Sequence, residues 1–320
     1  MKITKSDYFY VYAKKVNKND TITIELYGGK FKLLPQILPL FPSKIDKFVD
    51  LFCGGCNVGI NVEAKQYVYN DFCEPLIKLY KTMQNTDSEL FIRRMNELIK
   101  SYGLSDVKTY GYDYYNCNSS EGLGAYNREK YYRLRADFNN LEEHNDKYYI
   151  MLYVLIIYAF NNQIRFNKGG KFNLPPGKRD FNQKIYDKLV AFFNVLHSQQ
   201  AKFTHYDFRK LDINSLDTND FVYADPPYLI TCASYNEQGG WSEEDERDLL
   251  EMLDSLDKHN IKFALSNVLE SKGKENVILK EWVEARPNYK MIDLKYSYNN
   301  ANYQRQNKEH KTREILVINY

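Results

Sequence analysis

The tetrapeptide Asp225-Pro226-Pro227-Tyr228 places a carboxylate, a rigid turn and an aromatic ring directly after the apolar run 221–224. An amino group attached to an aromatic ring is a poor nucleophile, because its lone pair is delocalised into the ring. The Asp225 carboxylate and the main-chain carbonyl of Pro226 could each accept one amino hydrogen and so expose that lone pair. The prolines fix the direction of the carbonyl, and Tyr228 offers a flat surface for an extruded base. The tetrapeptide predicts a site that activates an exocyclic amine; the alternative is a turn that only ends a strand.

A glycine turn followed by an acid forms a second group of residues. The segment 48–59 runs from an apolar strand into a turn with glycines at 54, 55 and 59. This turn lets a ligand approach the backbone but departs from the dinucleotide spacing G-x-G-x-x-G. Asp71 ends the next apolar run about twenty residues later, where an acid binds ribose hydroxyls in nucleotide-binding folds. Each feature alone is equally typical of an ordinary turn or helix start, whereas together they predict a nucleoside ligand.

Cys53 and Cys56 form a C-x-x-C pair within this turn. A structural zinc site needs a second ligand pair, and neither the other cysteines nor the five histidines supply one at suitable spacing. A redox pair would need a thioredoxin-like context, whereas this pair opens a nucleotide-type turn. We therefore predict no metal site and no redox chemistry here.

Composition limits the remaining classes of protein. The 44 basic and 42 acidic residues give a formal net charge of +2, so any nucleic-acid surface must be a local patch. An odd number of cysteines and a charged start without an apolar signal segment predict a reduced, cytoplasmic protein. The longest apolar stretch, 148–160, is shorter than the roughly 18 residues of a membrane span, so we predict a buried helix there and no membrane partner.

The elements that position these residues follow from hydrophobic patterning. Short β-branched or aromatic runs alternate with helical segments, which indicates an α/β sheet. The predicted strands are 47–52, 67–70, 203–206, 221–224, 261–266 and 314–318. Ser242 and Asp245 have the spacing of a capping box ahead of leucines on one face, which predicts a crossover helix after the strand at 221–224.

The rhythm of strands disappears between residues 83 and 182. Two helical patterns and then a stretch rich in Gly, Pro and Asn replace it, at 90–99, 127–138 and 161–177. We interpret 83–182 as an inserted domain with a hairpin near 161–177. The flanking segments, 1–82 and 183–320, would together form the domain that contains the sheet.

Basic, amide and aromatic side chains surround the turn residues of the segment 161–179. Arginine suits guanine, asparagine suits adenine and lysine suits the phosphate backbone. The predicted DNA-binding residues are Asn161, Arg165, Asn167, Lys168, Lys178 and Arg179. The alternative is a solvated loop.

These segments, in this order, resemble the Dam-type DNA adenine methyltransferases, the alpha class, over nearly the whole chain. The segment 27–35 is similar to the family's amino-terminal cofactor segment, with Tyr27 and Lys30 in its aromatic and lysine positions apart from one spacing residue. The family's F-x-G-x-G corresponds to Phe52 and Gly54, with Cys56 where the last glycine is expected. The hairpin pattern at 165–177 and the closing strand at 314–320 also match.

The resemblance implies a Rossmann-like sheet of the S-adenosylmethionine-dependent methyltransferases, carrying an inserted and mainly helical target-recognition domain. It places Asp50 near the methionine end of the cofactor, Asp71 at the ribose, and Asp207 and Phe208 at the adenine. Tyr27, Lys30, Phe52 and Gly54 complete the expected cofactor site. The expected catalytic residues, which would hold the target base, are Asp225, Pro226, Pro227 and Tyr228.

The resemblance also implies an activity. The chain is expected to act as a monomer on double-stranded DNA, flip an adenine, and transfer the methyl group of S-adenosylmethionine to adenine N6, without metal or covalent intermediate. The expected site is GATC, with Arg165 reading a guanine. Two alternatives use the same residues: methylation of an RNA amine or of cytosine N4, and a catalytically silent DNA-binding module.

Overall fold

The computed structural model describes residues 22, 30–231, 240–295 and 312–320. Its strands are β1 (Lys47–Asp50), β2 (Gln66–Asn70), β3 (Ala201–Thr204), β4 (Phe221–Ala224), β5 (Lys262–Ser271), β6 (Lys274–Glu275), β7 (Lys290–Leu294) and β8 (Arg313–Ile318). They form one eight-stranded sheet in the order β3-β2-β1-β4-β5-β8-β7, with β6 paired to β5. Within the part of the sheet ordered β3-β2-β1-β4-β5, each pair of adjacent strands is parallel. β8 is antiparallel to both β5 and β7.

The direction in which strands are added reverses between β1 and β4. The chain proceeds from β1 outward to β2 and β3, then crosses to β4 on the other side of β1. Asp50 at the end of β1 pairs in register with Tyr223 of β4. Ligands of open α/β sheets bind at the carboxyl ends of strands beside such a reversal, so the fold predicts a site next to Asp50 and Asp225.

Helices cover the sheet. Those of the described residues are α1 (Leu34–Ile37), α2 (Glu74–Asn85), α3 (Ser88–Tyr102), α4 (Val107–Tyr110), α5 (Gly124–Asn139), α6 (Asp146–Tyr158), α7 (Gln183–Ser198), α8 (Glu243–Lys258) and α9 (Val277–Glu284). Alternate residues of the strands bury into two different cores, because successive side chains of a strand point to opposite faces. Phe48 and Tyr223 belong to the core of α2, α3 and α5–α7, whereas Val49 and Val222 belong to the core of α8 and α9.

The predicted strands are all present; β4 has the predicted bounds, 221–224, and the ends of the others shift by one or more residues. β1 ends at Asp50 rather than at residue 52, where the glycine turn begins, and β3 lies two residues earlier than predicted. β5 continues to Ser271, since β8 and β6 pair with its extension. Patterning missed β7, which lies at the sheet edge and whose side chains are mostly exposed, so it lacks an alternating pattern.

The predicted helices are also present. The patterns at 90–99 and 127–138 lie within α3 and α5. The buried helix predicted at 148–160 is α6, whose residues from Tyr148 to Tyr158 are all buried, but the helix ends at Tyr158 and Phe160 is exposed. Ser242 and Asp245 form the capping box at the start of α8. In the part of the chain that the structure describes, no helix is long and apolar enough to cross a membrane.

The segment predicted as an insertion lies between β2 and β3. Its helices share one continuous hydrophobic core with the sheet: Phe91 of α3, Phe138 of α5 and Tyr153 of α6 belong to the same cluster as Phe48 and Tyr69. Helices and sheet therefore support each other directly. The segment 161–177 forms a loop closed by isolated antiparallel bridges rather than by long strands.

Candidate active site

Asp225 directly follows β4, at the reversal point of the sheet. The Tyr228 hydroxyl donates to its Oδ1 at 2.8 Å, and the Lys30 Nζ lies 3.3 Å from the same oxygen. The Lys30 ammonium also contacts the Tyr228 hydroxyl and the Glu314 carboxylate. Pro226 is buried and Pro227 is exposed. The sequence thus predicted three members of this cluster, Lys30, Asp225 and Tyr228.

Burial governs the protonation of this cluster. It raises the pKa of Asp225, while the Lys30 ammonium and the Tyr228 hydrogen bond oppose that rise. Burial and the neighbouring Asp225 charge raise the pKa of Tyr228 well above its ordinary value, so the phenol remains a hydrogen-bond donor. The arrangement is a partly desolvated carboxylate of increased basicity, which suits it to accept a hydrogen from an amine.

In the sequence, Glu314 is recognisable only as the start of the closing strand. In the structure it is 3% exposed and completes the cluster through Lys30. A single acid at the start of an apolar run resembles the ordinary solvated end of a strand. The signal that could have identified it is its burial, which patterning does not reveal.

Asp50 ends β1 on the other side of the reversal point. Its Oδ2 accepts from the Gly59 amide at 3.3 Å, whereas its Oδ1 is buried and has no hydrogen-bond partner. Burial first and the Asp225 charge second raise the pKa of Asp50 well above its ordinary value. A buried carboxylate oxygen without a partner is costly, and a ligand ammonium would satisfy it.

The glycine turn takes the shape that the predicted motif requires. Gly54 has φ of 45° and Cys56 has φ of 53°, so the cysteine adopts the left-handed conformation usual for glycine. Gly59 has no room for a side chain, since a Cβ there would lie 2.3 Å from the Tyr69 ring. Cys53 and Cys56 are buried free thiols, and burial raises the pKa of both.

Asp71 follows β2 and binds the turn itself. Its Oδ2 accepts from the Gly54 amide at 2.9 Å, and its Oδ1 accepts from the Cys73 amide at 2.8 Å. Burial raises the pKa of Asp71, and these two amide hydrogen bonds oppose the rise. The acid predicted to hold a ribose therefore also braces the glycine turn.

An aromatic cluster borders the turn. The Phe52 and Phe208 ring centroids are 5.5 Å apart, and Trp241 lies 5.7 Å from Phe52 and 5.5 Å from Phe208. Trp241, which sequence analysis did not select, donates its indole hydrogen to the buried Glu246 at 2.6 Å. Asp207 next to Phe208 accepts from the Arg209 guanidinium at 3.1 Å.

These residues fit S-adenosylmethionine. The Asp50 oxygen suits the ammonium of its methionine part, Asp71 suits its ribose, and the rings of Phe52 and Phe208 suit its adenine. Tyr27, the remaining predicted member of the cofactor site, lies outside the described residues.

Two of the predicted DNA-binding residues, Arg165 and Asn167, make hydrogen bonds within the hairpin itself. The Arg165 Nε donates to Asn173 Oδ1 at 2.7 Å, so this guanidinium braces the hairpin. The Asn167 side chain accepts from the amides of Gly169 and Lys171, each at 3.0 Å, and forms the turn. The exposed members of the predicted DNA-binding set are Asn161, Lys168, Lys178 and Arg179.

Asp50 and Asp225 lie at the carboxyl ends of β1 and β4, the two strands between which the strand order reverses. Acids at this point of a largely parallel α/β sheet are typical of nucleotide-binding enzymes. Residues 27–300 match the family model described as D12 class N6 adenine-specific DNA methyltransferase. The chain belongs to this family, which confirms the resemblance drawn from the motifs.

Relatives agree with this assignment. The chain is 38% identical to the type II methyltransferase M.FokI of Planomicrobium okeanokoites over 312 residues, 96% of this chain and 44% of that protein. It is 35% identical to modification methylase StsI of Streptococcus sanguinis, over 98% of this chain and 47% of that protein. The chain thus spans about half the length of these two relatives. It is 24% identical to the DNA adenine methylase of Escherichia coli strain K12, over 83% of this chain and 85% of that protein.

Proposed function

We propose that this chain transfers the methyl group of S-adenosylmethionine to N6 of an adenine flipped out of duplex DNA, with a single chain acting on each site. The observation that carries the proposal is the position of Asp225: a partly buried acceptor at the reversal point of the sheet, hydrogen-bonded to the Tyr228 hydroxyl and close to Asp50. Family membership supports the adenine as the target.

The residues of the chain would act by position and by hydrogen bonding. Asp225 would accept one hydrogen of the target amine and the Pro226 carbonyl the other, which directs the nitrogen lone pair away from the ring. Tyr228 would stack on the base. The cofactor would supply an already activated sulfonium methyl, so orientation of the two reactants is the main task of the protein.

Sequence recognition is proposed to lie in the hairpin. Exposed Lys168, Lys178 and Arg179 would contact phosphates, and Arg165 would read a guanine. GATC, the site implied by the Dam-type resemblance, is the first sequence to test. The chain is more similar to M.FokI and to modification methylase StsI than to the DNA adenine methylase, so the assay must report every methylated sequence and not GATC alone.

The experiment expresses the chain in a methylation-deficient host and maps modified bases over the whole plasmid by sequencing. Mass analysis of the nucleosides identifies the base, and digestion with methyl-sensitive nucleases checks GATC directly. We expect N6-methyladenine at one short sequence in cells carrying the wild type. Asp225→Ala should lose at least ~100-fold in methyl transfer, as expected when one preorganised transition-state partner is removed, and should keep its cofactor affinity by calorimetry.

Each rival has its own outcome. N4-methylcytosine in the plasmid would identify a cytosine enzyme, and radiolabelled methyl groups found only in RNA would identify an RNA enzyme. Binding of DNA without any methyl transfer would identify a silent module. Methylation of adenine outside GATC would keep the proposed reaction and reject the proposed site.

A further inference from the structure

Lys30 is shared between two carboxylates. Its ammonium lies 3.3 Å from Asp225 Oδ1 and contacts Glu314 more closely. Lys30 is 5% exposed and Glu314 is 3% exposed, so little water screens these charges. Lys30 belongs to the segment 27–35 that resembles the family's cofactor motif, whereas Glu314 lies on β8, which pairs with β5 and β7 at the far side of the sheet.

We infer that Glu314 is a positioning residue of the catalytic centre, which holds the Lys30 ammonium away from close pairing with Asp225 and so leaves Asp225 able to accept the target amine. This inference rests on the proposed function. Glu314 acts through Lys30, and no contact with the substrate is needed.

The distances support this role. A charge-assisted N–H···O bond between an ammonium and a carboxylate is typically 2.7–2.9 Å long, and Lys30 stands at 3.3 Å from Asp225. The closer contact is with Glu314. Without the Glu314 charge, the nearest anion for this buried ammonium would be Asp225, and a full ion pair would occupy the oxygen that the amine needs.

Tyr228 is shared in the same way. Its hydroxyl is 2.8 Å from Asp225 Oδ1 and 3.4 Å from Glu314 Oε1. The phenol therefore has a second acceptor within reach when an incoming base takes its place on Asp225. Glu314 offers an alternative partner to both groups that would otherwise remain bound to the catalytic carboxylate.

The charges around Asp225 also support this role of Glu314. The titratable groups that face Asp225 are Lys30, Tyr228, Glu314, Tyr223 of β4 and, across the reversal point, Asp50. The Glu314 charge adds to the pKa of Asp225, and Lys30 subtracts from it. A more basic Asp225 is a better acceptor for an amine that becomes positively charged as the methyl group arrives.

The test compares Glu314→Gln with Glu314→Asp and with a matched control, Glu270→Gln. Glu270 also pairs with a basic residue of the same sheet region, Arg313, but it is half exposed and lies outside the cluster. In single-turnover assays we expect Glu314→Gln to slow methyl transfer about 10- to 100-fold, the size of effect that a small misplacement of a reacting group produces. Glu314→Asp should recover part of the rate, and Glu270→Gln should match the wild type.

The pH profile separates positioning from simple loss of structure. Removing a nearby negative charge lowers the pKa of Asp225, so the acid limb of the Glu314→Gln rate profile should move to lower pH by on the order of one unit. In a Lys30→Met background, Glu314→Gln should cause little further loss, because its effect passes through Lys30. A slower variant with an unmoved acid limb and a lower melting temperature would mean that Glu314 is only structural.

A crystal structure of Glu314→Gln gives a readout that does not depend on activity. We expect the Lys30 ammonium to move from 3.3 Å to ordinary ion-pair distance from Asp225. An ammonium that stays in place, or a wild-type rate in the variant, overturns the inference. Failure of the proposed function is recognised separately, because the wild type would then leave adenine unmethylated in the same assay.

Discussion

The Tyr228 hydroxyl donates to Asp225 Oδ1 at 2.8 Å, so the ring proposed to stack on the target base is bonded to the carboxylate proposed to hold its amino group. An adenine amine that donates to Oδ1 would replace this hydroxyl, whereas one that donates to Oδ2 would leave it in place. The hydrogen bond and the stacking surface are therefore separate contributions of one side chain, and substitution can separate them.

Tyr228→Phe keeps the stacking surface and removes the hydroxyl, whereas Tyr228→Ala removes both. We expect Tyr228→Phe to stay within about 10-fold of the wild-type kcat/KM, because the target amine replaces the lost donor on Asp225. Tyr228→Ala should lose about 10- to 100-fold, since stacking of a base on an aromatic ring contributes ~1–3 kcal/mol. Fluorescence of 2-aminopurine at the target position measures base flipping in the same variants. Equal losses in both variants would assign the role of Tyr228 to its hydroxyl.

Asp71→Ala should weaken S-adenosylmethionine binding about 10-fold or more, the usual effect of losing a hydrogen bond to a charged group. Because Asp71 also braces Gly54, a control must disturb the turn without removing the acid. Tyr80→Phe does this, since the Tyr80 hydroxyl donates to the Gly54 carbonyl from the other side at 2.7 Å. Calorimetry gives both affinities. If the two variants lose equal affinity, Asp71 acts through the turn alone, and an unchanged affinity in folded Asp71→Ala removes it from the site.

Arg165→Ala should relax specificity at one guanine of the recognition sequence, where a lost bidentate contact costs ~1–3 kcal/mol of discrimination. Asn173→Ala is the matched control, because it removes the side-chain acceptor of Arg165 within the hairpin and retains the guanidinium. The measurement is kcat/KM on the mapped site and on each single-base variant of it. Uniform losses across all sequences in both variants would show that Arg165 braces the hairpin.

Lys168→Ala should weaken DNA binding by a similar factor on every sequence and flatten the salt dependence of the affinity, because its ammonium is proposed to contact a phosphate.

Asp180 predicts a pH dependence of stability. Burial raises its pKa to about 6, a rise that the Val107 amide opposes. The folded state then holds a proton that the unfolded state has released, so this group's contribution to stability falls as pH rises from about 4 to 6. Asp180→Asn keeps an acceptor for Val107 and removes the charge, so above pH 7 it should be more stable than the wild type by at most about 3 kcal/mol. Denaturant unfolding at pH 5 and pH 7.5 measures the free energy of unfolding of the variant and of the wild type. A difference between the two proteins that is the same at both pH values would contradict the prediction.

Sequence predicted the parts of the fold that patterning encodes. Apolar runs marked the parallel strands and the buried helix α6, because burial on both faces requires continuous apolar residues. The edge strand β7 was not predicted, since its mostly exposed side chains form no continuous apolar run. The motif at 225–228 drew attention to Asp225, the carboxylate proposed to be catalytic, because two prolines after a strand leave few possible backbone conformations.

The sequence alone could not predict contacts between residues that lie far apart along the chain. Nothing in the spacing of Lys30 and Glu314 shows that they meet, since 284 positions separate them. The brace between Arg165 and Asn173 was missed because the chemistry of a guanidinium is the same whether it binds a base or an amide. Trp241 could not be selected either, as its contact with Phe52 and Phe208 depends on how α8 approaches the sheet.

The way the hairpin is closed determines how the sequence specificity proposed for it could be transplanted. The Phe160 amide donates to the Pro175 carbonyl at 2.9 Å, and the Gly177 amide donates to Tyr158 at 2.7 Å, directly where α6 ends. A graft of residues 159–177 therefore exchanges a loop on a fixed stem, provided that glycine stays at 177, where a Cβ would meet the Ala159 carbonyl at 2.3 Å. A graft of all of 83–182 would instead remove α3, α5 and α6 from the core that supports β1 and β2. If the hairpin reads the target sequence as proposed, exchange of this loop changes the target with less disturbance of the core than exchange of the whole segment 83–182.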